Sequence, residues 1–73
     1  MKKSILIIDD DKNILRYLKD ALEEKGYAVL ESAKGDEGVR LYQHHKPFLV
    51  LTDLRMAGMD GLGVIEKILQ IDP

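Results

Sequence analysis

The residues best placed to do chemistry are carboxylates that close apolar runs. Asp9, Asp10 and Asp11 follow Ser4-Ile5-Leu6-Ile7-Ile8, and Asp53 follows Phe48-Leu49-Val50-Leu51-Thr52. Runs of this kind, apolar on both sides of the pleat, are expected of strands covered by helices on both faces, and they deliver an acid to the rim of a sheet. If the two strands are neighbours, their carboxylates meet. Carboxylates within a few Å repel one another unless a cation intervenes. Mg²⁺ suits such a place, because it prefers oxygen ligands and commonly takes one or two carboxylates plus a substrate phosphate. A carboxylate can also attack phosphorus and form an aspartyl phosphate.

The elements that must position these acids are legible in the rest of the chain. Asp11 is placed to cap a helix in which Ile14, Leu15, Leu18, Ala21 and Leu22 recur at helical spacing, with Gly26 just past its end. Tyr27 to Glu31 reads as a short second strand. Ser32 to Gly35 reads as the turn into a second helix that carries Val39, Leu41 and Tyr42 and ends near Lys46-Pro47. Gly35 and Gly38 weaken its intrinsic propensity. Beyond Asp53, a Gly-containing turn leads to Asp60, which caps a third helix with the apolar stripe Leu62, Val64, Ile65, Ile68 and Leu69; Asp72-Pro73 is its stop. Strands alternating with helices at this spacing imply a parallel sheet with right-handed crossovers. The strand order 2-1-3 opens a crevice between the first and third strands, where Asp9, Asp10 and Asp53 lie at the carboxyl ends.

The motifs I-L-I-I-D-D-D and L-V-L-T-D-L-R-M-A-G-M-D-G, at this separation, resemble the receiver domain of two-component response regulators, and the resemblance runs from Lys3 onward. It implies an α/β, flavodoxin-like fold and a phosphoacceptor module in a phosphorelay. By this resemblance Asp53 is the phosphoacceptor, Asp9 and Asp10 are the acid pair that holds Mg²⁺ (or Mn²⁺), and Arg55 lends its backbone carbonyl to the metal. The implied partner is a histidine kinase or phosphotransfer protein. Ala57 stands where the family commonly has Pro. The family also continues, after the point where this sequence ends at Pro73, into a fourth and fifth strand bearing a Ser or Thr and a Lys that grip the phosphoryl group. Residues 1–73 are therefore expected to form the N-terminal half of a receiver-like domain, a partial (βα)₃ unit that keeps the acid cradle without the switch half.

Simpler roles suffice for other residues. Asp11 and Asp60 serve as caps, Met56 and Met59 fill gaps against the core, and Gly58 and Gly61 are turn residues. His44 and His45 are adjacent on a helix, about 100° apart, and near its C-terminus they belong on the surface. Capping alone does not cover Asp9, Asp10 and Asp53, since one residue caps each helix and these acids converge from two strands. A phosphatase with an Asp nucleophile would favour a second acid two residues on, but that position is Arg55. The expectation is therefore a signalling module and not an enzyme.

Composition narrows the classes further. With 11 basic and 13 acidic residues and a net charge of −2, no nucleic-acid surface is expected. No apolar run approaches the ~20 residues that span a bilayer, so no membrane association is expected and the location is taken as cytoplasmic. The absence of Cys excludes disulfides and thiolate metal sites. A 73-residue domain is marginal on its own. In the 2-1-3 order the third strand is an edge, and Phe48-Leu49-Val50-Leu51 has no charge or Pro to blunt it. Self-association is expected to complete the fold, as a homodimer through that edge or by exchange of an element. The alternative reading is an excised or engineered half-domain whose main behaviour is homo-oligomerisation, without competent signalling.

Overall fold

The computed structural model describes residues 2–73. The chain runs β1 (Ser4–Ile8), α1 (Lys12–Glu24), β2 (Ala28–Ser32), α2 (Gly35–His45), β3 (Leu49–Thr52) and α3 (Gly61–Ile71). The strands form one parallel sheet in the order β2-β1-β3, with Ile5 opposite both Val29 and Leu49. β1 is central because its apolar run leaves neither face for water: Leu6 and Ile7 are fully buried, and Ile5 and Ile8 nearly so.

Alternation along β1 sends its side chains into two cores. Ile5 and Ile7 meet Leu15 of α1, with Leu18, Leu22 and Val29 around them. Leu6 and Ile8 meet Val39 of α2 and Val64 of α3, with Leu30, Leu41, Val50 and Ile68 around them. One helix therefore covers one face and two cover the other. Asp11 caps α1 by accepting from the Asn13 amide at 2.9 Å, and Asp60 caps α3 by accepting from the Gly63 amide at 2.9 Å. Gly26 follows α1 with φ +96°, the left-handed conformation that suits glycine.

β2 lies one residue later than the sequence pattern suggests. The Tyr27 amide donates to the Leu22 carbonyl at 3.1 Å and so closes the end of α1, while the Ala28 amide donates to Lys3 and opens the ladder. At the other end Ser32 stays in the sheet, because its carbonyl accepts from the Asp9 amide at 3.1 Å. Two helical stripes are also narrower than their apolar patterns. Ile14 on α1 is 43% exposed, and Leu62, Ile65 and Leu69 on α3 face outward while Val64, Ile68 and Ile71 turn in.

At the far end of the molecule from the acids, α2 and α3 are tied together. The Tyr42 hydroxyl and the Lys46 ammonium both donate to the same Asp72 oxygen, at 2.8 and 2.7 Å. Lys46 and Tyr42 hold the Asp72 carboxyl below its ordinary value, and donation to Asp72 pushes the Tyr42 hydroxyl above its own. The depressed carboxyl stabilises the fold above its ordinary value of 3.8 and loses that contribution as pH falls below it. The raised phenol contributes below 10.0 and loses its share as pH rises past that value. All three groups are solvent-accessible, so the effect is small. Asp72→Asn is expected to flatten the acid limb of a plot of melting temperature against pH and to leave the neutral region nearly unchanged. An acid limb identical to that of the parent chain would show that the tie carries no stability.

Candidate acid and metal site at the carboxyl edge of the sheet

The ladder itself carries the acids to their places. The Asp9 amide donates to Ser32 and the Asp53 amide donates to the Ile8 carbonyl at 2.9 Å, so both residues are still held by the sheet as the strands end. Asp10 follows Asp9 into the turn before α1. Carboxylate oxygens of Asp9, Asp10 and Asp53 come within 4.8 Å of one another, with Asp9 and Asp53 half-buried and Asp10 exposed. The three acids singled out by spacing are thus brought together, in the crevice where the chain leaves β1 in one direction and β3 in the other.

Local hydrogen bonds aim the carboxylates. Asp9 Oδ1 accepts from the Asp11 amide at 2.9 Å, and Asp53 Oδ1 accepts from the Arg55 amide at 3.3 Å. Among the described residues the second oxygen of each has no donor, and it is left for a cation or a reacting group. The donor set fits a hard divalent ion: all oxygen, anionic, converging from two strands and open to water, which suits an ion that keeps part of its hydration shell. No imidazole joins it. His44 and His45 are exposed in the last turn of α2 and stack edge-to-face at 5.8 Å, away from the acids.

The loop that leaves Asp53 is closed by the Gly61 amide donating to the Leu54 carbonyl at 3.2 Å. Within it Gly58 adopts φ +75°, a turn that glycine permits. Gly61 differs from the expectation of a turn residue. It is buried as the first residue of α3, and a Cβ there would meet the Asp53 carbonyl oxygen and lie 2.7 Å from the Leu54 Cα. Its lack of a side chain is a matter of space, and the space belongs to the backbone of Asp53. Met56 and Met59 are half-buried against the core shared by α2 and α3, as gap-fillers.

Sequence spacing did not single out Gly35 or Lys34. Lys34 and Asp36, flanking the start of α2, line a cleft of about 520 Å³ with Asp10, Ala57, Gly58 and Met59. A smaller cavity of about 160 Å³ lies beneath the acids, lined by Ile7, Ile8, Leu18, Leu51 and Thr52, with Asp9 and Asp53 at its edge.

A three-stranded parallel sheet with an acid cluster at the crevice between its first and third strands defines an α/β module of the flavodoxin-like kind. The family description Response regulator receiver domain matches residues 5–73, and the chain belongs to that family. It is 39% identical over 74 residues to the chemotaxis protein CheY of Thermotoga maritima, covering 100% of this chain and 62% of that protein. Among solved structures, a CheY-like receiver domain from Methanospirillum hungatei JF-1 superposes with a TM-score of 0.95 at 36% identity, covering 100% of this chain and 58% of that one. The response regulator TrrA of Thermotoga maritima, solved with Mg²⁺ and BeF, gives a TM-score of 0.91 at 34% identity, covering 96% of this chain and 61% of that one. The chain therefore spans less than two thirds of these relatives, and as little as 15% of the longer transcriptional regulators it matches. Receiver domains are signalling modules of two-component systems and not enzymes. No helix is long and apolar enough to cross a membrane among the described residues.

Proposed function

We propose that the chain accepts a phosphoryl group on Asp53 from a partner histidine kinase or phosphotransfer protein, in a reaction that depends on a divalent metal. The observation that carries this reading is the convergence of Asp9, Asp10 and Asp53 oxygens within 4.8 Å from two adjacent strands. Asp9, Asp10 and Asp53, with the Arg55 backbone carbonyl, would hold Mg²⁺ or Mn²⁺. When bound, the ion offsets the negative charge gathered by the acids and the incoming phosphoryl oxygens.

The protein's own part is to present the nucleophile. The Arg55 amide holds one Asp53 oxygen, and the other forms the bond to phosphorus. The bond from phosphorus to the donor's imidazole nitrogen breaks, the electron pair stays on that nitrogen, and the product is an aspartyl phosphate. In this reading residues 1–73 are the acid-bearing half of a receiver domain and work in the cytoplasm. The balance of 11 basic to 13 acidic residues gives no reason to assign them the nucleic-acid output of longer relatives. Incubation with acetyl phosphate and Mg²⁺ is expected to give a hydroxylamine-sensitive adduct that EDTA prevents. An adduct formed equally well in EDTA would remove the metal from this reading.

A second reading concerns association, and it is favoured by the edge strand. Phe48, Leu49 and Leu51 are exposed, and among the described residues the side of β3 away from β1 carries no strand. We infer that the 73-residue chain pairs with a second copy through antiparallel β3 edges, or exchanges an element with it. The melting temperature should then rise with protein concentration. Leu51→Lys tests the edge directly, because Leu51 lies outside both cores, whereas Val50 packs against the Leu6 and Ile8 core. The Lys variant is expected to lose the concentration dependence. A folded monomer at micromolar concentration, with a melting temperature independent of concentration, would contradict the pairing.

A further inference from the structure

Gly35 is buried at the start of α2. Its φ is not in the left-handed region that glycine favours, so backbone conformation does not require glycine there. What requires it is proximity. A Cβ on Gly35 would overlap the Met59 carbonyl oxygen and would lie 3.0 Å from Val64 Cγ2 and 3.1 Å from Met59 Cβ. The first turn of α2 therefore rests on the backbone of the loop between β3 and α3. Backbone cannot rotate aside as the end of a flexible side chain can, so any added atom must displace the loop.

The loop has little slack. It leaves the sheet at Asp53, its ends are closed by the Gly61 amide on the Leu54 carbonyl, and Met59 lies between the Gly35 contact and the Asp60 cap. The Arg55 amide that orients the Asp53 carboxylate belongs to the same loop. A push at Met59 is thus passed to Arg55, and from there to the acid.

We propose that Gly35 is a positioning residue for the acid site: by letting α2 lie against the Met59 backbone, it sets where the loop carries Arg55 and hence how Asp53 is presented to a metal. This rests on the metal-site reading given above. Coupling of this kind is reciprocal, so metal at the acids must also be felt at Gly35.

The test is a Mg²⁺ titration followed by amide shifts, with thermal unfolding measured on the same samples, for the parent chain, Gly35→Ala and Val39→Ala. Val39 is buried on the same helix in the core with Leu6, Ile8 and Val64, and its truncation controls for a general loss of packing around α2. Gly35→Ala is expected to weaken Mg²⁺ binding roughly tenfold, at the lower end of what outer-shell changes cost a metal site. Val39→Ala is expected to lower the melting temperature and leave Mg²⁺ affinity unchanged. Parent-like affinity in Gly35→Ala, or an equal loss in Val39→Ala, would overturn the inference. If Gly35→Ala does not fold, the parent chain decides: the Gly35 amide is expected to move with those of Asp9, Asp10 and Asp53, and a still Gly35 beside moving acids overturns the proposal. Acids that fail to respond in the parent chain would instead remove the metal-site reading itself.

Discussion

Asp53→Asn is expected to reduce labelling by acetyl phosphate to background while leaving the melting temperature close to that of the parent chain. The amide keeps the shape of the carboxylate and can still accept from the Arg55 amide at the oxygen now 3.3 Å away, so the loop has no reason to move. What is lost is the nucleophilic oxygen, and no other acid at the site replaces it. Asp9 has one oxygen turned to the Asp11 amide at 2.9 Å, and Asp10 is exposed at the start of the turn. Intact-mass measurement after incubation with acetyl phosphate and Mg²⁺ checks this. Equal labelling of the Asn variant would take the phosphoacceptor role away from Asp53.

Gly61→Ala carries the second large effect, and it falls on the fold and the site together. The added methyl group would occupy the place of the Asp53 carbonyl oxygen, with the Leu54 Cα 2.7 Å away. No rotamer relieves an overlap with backbone. Either α3 moves off the core, where Val64 is fully buried, or β3 gives up its end, where the Asp53 amide holds the Ile8 carbonyl. Overpacking of this kind costs ~3 kcal/mol at the upper end of its usual range. A domain of 73 residues has little stability to spare, so a substantial unfolded fraction is expected even without denaturant. Chemical denaturation followed by circular dichroism is the measurement. A midpoint within error of the parent chain would mean that the loop yields far more easily than its hydrogen bonds suggest.

The acids were legible in the sequence because their signal is local. Two apolar runs each end in acid, and the parallel order that follows from alternating strands and helices puts those ends side by side. The caps at Asp11 and Asp60 were legible for the same reason, as was the central place of β1. The close approaches at Gly35 and Gly61 were not, because neither glycine has the positive φ that marks a turn; each is glycine owing to a backbone distant in sequence or folded back upon it. The one-residue shift of β2 turned on a competition for the Tyr27 amide, which the end of α1 wins. The outward positions of Ile14 and of Leu62, Ile65 and Leu69 were hidden by apolar patterns broader than the faces the helices bury. The link from Tyr42 and Lys46 to Asp72 joins the ends of two helices through exposed side chains, and no periodicity announces it.

The central claim is that Asp9, Asp10 and Asp53 act as one divalent-metal site at which Asp53 is the acceptor. A Mg²⁺ titration of the parent chain followed by amide shifts tests it most directly. A solvated site of three carboxylates without a dedicated cage is expected to bind weakly, with the shifts concentrated in Asp9 to Asp11 and Asp53 to Arg55. Shifts clustered elsewhere, or none below tens of millimolar Mg²⁺, would contradict it.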